Sequence, residues 1–349
     1  LRTEFNGMKR KFGGRHNSCP NSTTYRYYAQ KLAAKLAERY NLEADAIRKI
    51  TPDIPITTNL MGFYKPLDYQ KWAKSMDFIS WDNYPAPDDS PAHIAMNHDL
   101  MRGIKDQNSF VLMEQTPSVT NWLPYNKLKR PGEMRRLSYQ AAAHGADAIQ
   151  FFQIRRTVGA CEKFHGAFID HAGRDDTRVF RELKELGSEL ESLGDVFLEG
   201  RTPAEVAIVV DWDNWWTLEN SAGPSIHMKY LDALRDYYSA AFGQNVPVDL
   251  VGVEDSIDKY KVVIAPLLYM TKGDYDEKIR EYVQNGGTFI TTYFSGIVDE
   301  HDLVILGGYP GKLRDILGIW VEENDALPEG EKIHSSMGNI HIQHRCYAI

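Results

Sequence analysis

Apolar and polar positions along this chain fall into blocks with a βα rhythm. The sharpest block is Phe110-Val111-Leu112-Met113-Glu114-Gln115-Thr116-Pro117-Ser118, an apolar run that stops in a carboxylate and gives way to polar residues and a proline. A buried parallel strand has this pattern when it delivers a charged side chain to the rim of its sheet. Residues 54–60 and 77–81 also read as strands, 109–114 is the third, and 147–154 the fourth. Helices are predicted over 67–75, 91–104, 132–144 and 177–193. Such alternation means parallel strands joined by right-handed crossovers. Four units are too few to close a (β/α)8 barrel, so they form an open sheet or half of a barrel.

Upstream, Tyr25, Tyr28, Ala29, Leu32 and Leu36 lie on one helical stripe, with Asn21 or Ser22 as the N-cap. No glycine or proline interrupts this pattern until Pro52. Taken literally, that is a helix of roughly 28 residues, about 42 Å long. Leu42 falls off the stripe, which leaves two readings: a bend near Tyr40-Asn41, or two helices from different places joined there. Beyond residues 199–203 the pattern resets. Strands are predicted over 205–210, 246–251, 260–265 and 288–294, with helices over 226–242 and 272–284, the second stopped by Gly286-Gly287. This is a second α/β module of doubly wound type. Its strand ends carry neither a Gly-rich phosphate fingerprint nor a nucleophilic Ser or Cys elbow, so it points to assembly rather than catalysis. The expected division is 1–197, 198–332 and an irregular tail, 333–349, whose His334, His341 and His344 show no metal-ligand periodicity.

Composition narrows the classes. The 349 residues are 43% apolar and 25% charged, as in a globular protein. A net charge of −8 offers no electrostatic reason to bind nucleic acid or an anionic membrane. No apolar stretch is long enough to span a bilayer, and nothing at the start reads as a signal peptide. Three scattered cysteines, Cys19, Cys161 and Cys346, argue against a disulfide framework and favour a reducing, cytoplasmic setting. The chain begins at Leu1 rather than Met, which raises the expectation of a fragment.

The chemistry gathers at the predicted strand ends. Trp81-Asp82-Asn83-Tyr84-Pro85 closes the second strand and Glu114-Gln115 the third, with Trp122 eight residues on. The fourth supplies Gln153-Ile154-Arg155 and then Glu162-Lys163-Phe164-His165-Gly166. In an α/β barrel this rim holds the active site. Carboxylates beside aromatic rings suit a sugar: the rings stack on its C–H faces and the charged groups accept from its hydroxyls. Glycoside hydrolysis needs two carboxyl groups flanking the bond. Singly, each residue has an ordinary explanation: Glu114 as a helix cap, Trp81 and Tyr84 as core aromatics, His165 as a structural histidine, Arg155 as an ion-pair partner for Asp82 or Glu162. Their concentration at one rim favours function.

Met113-Glu114-Gln115 through Asn121-Trp122-Leu123-Pro124-Tyr125-Asn126, Gly145-Ala146-Asp147 to Phe152-Gln153, Glu162-Lys163-Phe164-His165-Gly166-Ala167 and Gly14-Arg15-His16-Asn17-Ser18-Cys19-Pro20-Asn21-Ser22 strongly resemble the β-galactosidases of glycoside hydrolase family 42. The resemblance implies a partial (β/α)8 TIM-type barrel holding strands five to eight, followed by a flavodoxin-like trimerisation module. It implies a retaining exo-β-galactosidase with no cofactor for catalysis, a galactoside substrate and a homotrimer. Glu114 then matches the nucleophile, and Arg15, Tyr84, Trp122, Glu162 and His165 line the galactose subsite. Trp212, Trp215 and Trp216 would sit in a strand-end loop within reach of a neighbouring subunit's active site.

The departures also carry expectations. The family's acid/base is a glutamate following an asparagine, and this chain contains no Asn-Glu pair. Family order places that strand between Tyr40 and Asn41. Cys19 matches one ligand of a structural zinc site whose other cysteines would lie in the same missing stretch, so the zinc site is expected to be incomplete. Ile154 stands where the family commonly has tryptophan. The resemblance is expected to end near Ile333, and hydrolysis to be impaired, leaving as the alternative an inactive galactoside-binding or oligomerisation remnant.

Overall fold

The computed structural model describes residues 22–225, 227–326, 333–337 and 340–344. Two four-stranded parallel sheets organise it. The first has the order β1 (Asn59–Leu60), β2 (Ile79–Asp82), β3 (Phe110–Glu114) and β4 (Ala146–Ile149). Between and around these strands run α1 (Ser22–Arg48), α2 (Tyr69–Trp72), α3 (Pro91–Gly103), α4 (Glu133–Ala143) and α5 (Arg178–Ser192). Every strand pair is parallel and in chain order, as in half of a βα barrel.

The second sheet has the order β6-β5-β7-β8, formed by β5 (Val206–Val209), β6 (Val248–Val251), β7 (Val262–Ala265) and β8 (Thr288–Thr291). With the first strand inside and the chain winding both ways from it, this is the flavodoxin-like arrangement. Strands β5, β6 and β7 are nearly continuous apolar runs because both faces are covered, while the edge strand β8 leaves Thr288 and Ile290 exposed. Ala207 and Val209 join one buried cluster with Tyr260, Tyr275 and Ile279, while Ile208 joins the larger core shared with the first sheet. The connecting helices are α6 (Trp212–Leu218), α7 (Tyr230–Gly243) and α8 (Tyr275–Gln284).

The helix α3 joins the two halves. Ser90 caps it, its Oγ accepting from the His93 amide at 3.1 Å, and Pro91 starts the first turn. Its C-terminal end lies against β6, where a Cβ on Gly103 would meet the Leu250 carbonyl oxygen at 2.0 Å, so only glycine fits. Arg102 bridges Asp99 at 2.7 Å and Asp249 at 3.1 Å in this buried seam. A buried ion pair that loses one member costs about 3–5 kcal/mol, which makes the seam intolerant of change.

Three expectations need correcting. First, α1 runs for 27 residues through Tyr40-Asn41 without a break in the helix. Its N-terminal half packs on α6, with Gln30 donating to Asp213 at 2.6 Å, and its C-terminal half packs on the first sheet's elements, with Tyr40 donating to the Ile56 carbonyl at 3.0 Å. Second, Trp212, Trp215 and Trp216 lie on a buried helix rather than in an accessible loop. Trp212 donates to the Tyr64 carbonyl and Trp216 to the Lys65 carbonyl, so both indoles are spent inside this chain. Third, the tail is not irregular: β9 (Ile333–Met337) pairs antiparallel with β10 (Ile340–His344). The alternation Ile340-His341-Ile342 is the two-residue period of a strand, read too cautiously across so short a span. No helix among the described residues is long and apolar enough to cross a membrane.

Candidate active site

The four strands of the first sheet end on one rim, and the chemistry sits on β2 and β3. Trp81 points outward, 3% exposed, against the edge of His98 under α3. Asp82, next along, turns to the other face and accepts from Asn59 Nδ2 at 2.5 Å. The Asn83 amide donates to the Glu114 carbonyl at 2.8 Å, tying the loop after β2 to the end of β3. That tie sets Tyr84 beside Glu114, with Tyr84 Oη donating to Glu114 Oε2 at 2.7 Å. Burial first, then the bond to Glu114 and its charge, raise the Tyr84 pKa, so the phenol keeps its proton.

Three aromatic rings surround this pair. Trp122 and His165 each meet the Tyr84 ring edge-on at 5.5 Å, and Phe152 meets His165 at 5.3 Å. Trp122 is 57% exposed, a broad face open to solvent. His165 is buried, with Nδ1 facing Asn121 Oδ1 at 3.2 Å and Nε2 without a partner among the described residues. Burial lowers the His165 pKa, with nearby Lys129 and Arg156 adding to it and Glu162 opposing. The imidazole therefore stands neutral, able to donate or accept at the free nitrogen. Glu162 is half-buried, and its carbonyl accepts from the His165 amide in the turn that presents the ring.

Glu114, Tyr84, Trp122, Glu162 and His165 are thus brought together. Arg15 and Cys19 lie outside the described residues. Cys161 is a free, exposed thiol, and no cluster of three or more metal-ligating residues occurs among the described residues. The Asp82 side chain is bonded by Asn59, not by Arg155. Sequence reasoning missed Asn59, whose signal was the polar ending Thr57-Thr58-Asn59 of an apolar strand. It also missed Lys129, whose amine donates to the Thr116 carbonyl and whose pKa burial lowers to about 7. A cavity of about 670 Å³ bordered by Asp213, Lys272 and Tyr275 of the second module and Lys71 of the first lies apart from this cluster.

A sequence model described as Beta-galactosidase matches residues 1–43 and 40–193, and one described as Beta-galactosidase trimerisation domain matches 204–348. The chain belongs to the β-galactosidases of glycoside hydrolase family 42. Since the second match runs to residue 348, the family resemblance does not end near Ile333. The β-galactosidase BgaP of Planococcus sp. (strain L4) is 46% identical over 447 aligned positions, covering 99% of this chain and 66% of that relative. LacZ of Lactobacillus acidophilus is 48% identical over 307, covering 88% of this chain and 46% of that one. The crystal structure of the β-galactosidase from Bacillus circulans sp. alkalophilus superposes with a TM-score of 0.88 at 55% identity, over 89% of this chain and 46% of the other. That from Rahnella sp. R3 gives 0.86 at 43%, over 89% and 47%. The chain therefore spans about half the length of these solved relatives, and its first sheet is the corresponding part of their TIM barrel. An alignment of 447 positions on a chain of 349 residues leaves on the order of a hundred positions of BgaP facing no residue here. The first family match also breaks into two pieces that meet at residues 40–43, inside α1.

Proposed function

We propose that the parent enzyme is a retaining exo-β-galactosidase, acting on terminal non-reducing β-D-galactose, in which Glu114 is the nucleophile. The observation that carries this is the Tyr84 hydroxyl holding Glu114 at a strand end inside an aromatic frame, in a chain of this family. Tyr84 orients the carboxylate toward the anomeric carbon, Trp122 offers a stacking face, and Glu162 and His165 take sugar hydroxyls; Arg15 is assigned to the same subsite. Double displacement also needs a second carboxyl about 5–5.5 Å away as acid/base. The Asn-Glu pair that supplies it in the family is absent from this sequence. Glycosylation of Glu114 by a poor leaving group, and attack by unassisted water, are then slow. The trimerisation-domain match supports a homotrimer built through the second module, and we assign the division at 197–198 and a cytoplasmic setting to the same reading.

The test is the purified chain on a dinitrophenyl β-galactoside, with and without azide, beside Glu114→Gln. Azide-dependent turnover giving the β-galactosyl azide, lost in Glu114→Gln, is expected. Unaided turnover of lactose would overturn the missing acid/base, and turnover that survives Glu114→Gln would overturn the nucleophile. Two observations favour a second reading: about a hundred positions of BgaP face no residue here, and the first family match breaks into two pieces at residues 40–43. A galactoside-binding or oligomerising remnant without turnover would give neither burst nor azide effect.

A further inference from the structure

Two carboxyl groups meet across adjoining strand ends in this site. The register of β2 on β3 runs Ile79 to Phe110, Ser80 to Val111 and Trp81 to Leu112, then passes over Met113 and sets Asp82 opposite Glu114. A bulge of this kind re-aims one side chain, and here it puts both acids on the same face. Neighbouring strands lie about 4.8 Å apart, and like charges directly opposite repel. Among the described residues, no cation relieves Asp82. Oδ2 accepts from Asn59 alone among them, and Oδ1 is buried with no hydrogen-bond partner among them. Among the described residues, the titratable groups that act on it or feel it are Glu114 from β3, Tyr84 from the loop after β2 and Tyr69 from α2. A buried carboxylate oxygen left unbonded is costly, and a proton removes most of that cost.

We propose that Asp82 is a positioning residue that holds a proton while Glu114 is an anion and releases it when Glu114 becomes a glycosyl ester. This rests on Glu114 being the nucleophile. In the covalent step a Glu114 oxygen bonds the anomeric carbon, the bond from that carbon to the aryl oxygen breaks, and its electron pair leaves with the phenolate. The step itself neither consumes nor yields a proton. It does remove the negative charge from the strand end opposite Asp82, and the acid then ionises to water. Hydrolysis or azide attack restores both the Glu114 charge and the Asp82 proton. Burial, opposed by the Asn59 bond and helped by the Glu114 charge, lifts the Asp82 pKa to about 7, so the exchange falls in a convenient range. In the transition state Glu114 has already lost part of its charge and Asp82 ionises more readily. Ionised Asp82 therefore speeds the covalent step, and the rate rises with pH.

The test labels the full chain with a dinitrophenyl fluorogalactoside, whose leaving group needs no acid, and follows the Glu114 peptide by mass spectrometry from about pH 5.5 to about pH 9. The rate is expected to rise several-fold through about pH 7, with tenfold as the scale for each unit by which the pKa falls. Asp82→Asn should keep the label and flatten the rise to less than about twofold on that scale. Independently of any variant, the wild-type chain in weak buffer near pH 7, where Asp82 is about half protonated, should release up to about half a proton with each label. A flat wild-type profile without proton release, or a rise that survives Asp82→Asn, overturns the proposal and leaves Glu114 as nucleophile. No label at all, or one that survives Glu114→Gln, overturns both.

Discussion

Tyr84 donates its hydroxyl to Glu114 while its ring takes the edges of Trp122 and His165, so Tyr84→Phe separates the two contributions. A hydrogen bond to a charged group is worth about 1.5–3 kcal/mol, so azide-dependent galactosyl release should fall roughly tenfold to a hundredfold. Thermal melting should barely move, because the ring packing is kept. His98 makes a different prediction. It is fully buried between Phe110, His144 and Trp81, and neither ring nitrogen has a hydrogen-bond partner among the described residues. Burial, then the charges of His144 and Arg102, hold its pKa well below 6.5. The unfolded chain takes up that proton below about pH 6.5 and the folded chain does not, so stability is present above that pH and lost as pH falls, by up to about 1.4 kcal/mol per unit. Melting followed between about pH 7.5 and about pH 5 should show this loss, and His98→Phe, which keeps the stack on Phe110, should remove that part of it. Glu114 and Tyr84 were legible in the sequence because an apolar run that ends in a polar side chain marks a strand end. The Asp82–Glu114 pairing was not, since one skipped residue in the register leaves no mark in composition.

At the scale of elements, α1 is the most informative comparison between sequence and structure. An uninterrupted pattern without glycine or proline predicted a continuous helix, and the structure keeps it continuous, yet its two halves serve different partners. Arg26 and Gln30 reach Met270 and Asp213 in the second module, while Tyr40 sits edge-on to Trp72 and Arg48 pairs with Asp77 in the first. Leu42 is out of phase because it faces solvent, 67% accessible, while Ala29, Ala33, Tyr40 and Ala44 keep one buried stripe along the whole helix. Continuity through Asn41 holds the two halves in phase. Asn41→Pro should therefore cost about 3 kcal/mol or more by removing a backbone bond and clashing with the preceding turn. Asn41→Ala should be neutral or slightly stabilising, and differential scanning calorimetry of the pair separates helix continuity from loss of the amide side chain. By contrast α6 was invisible, because seven residues hold too little periodicity, and three tryptophans within five positions read as a solvent-facing surface until their burial is seen.

For the whole molecule, the first sheet is bounded by β1 and β4, each with one neighbour among the described residues. The two open edges are complementary, since both strands are parallel members of one sheet and present opposite sides of their ladders. An edge on one copy therefore fits the other edge on a second copy, a head-to-tail contact that ends in a ring if it closes and grows if it does not. Exposed apolar side chains beyond the β4 end favour the same outcome: Ile154 is 68% and Val158 91% accessible. This association is distinct from any trimer built through the second module, because it uses the opposite part of the chain. Sedimentation velocity should show species that grow with concentration in the wild-type chain. Ile154→Lys with Val158→Lys should suppress that growth by placing charge beside the open edge. Both side chains already face water, so melting should shift by no more than about 0.5 kcal/mol equivalent. A distribution unchanged by the two lysines would exclude the β4 side as the contact, and a single trimer at all concentrations would mean that the open sheet is silent in solution.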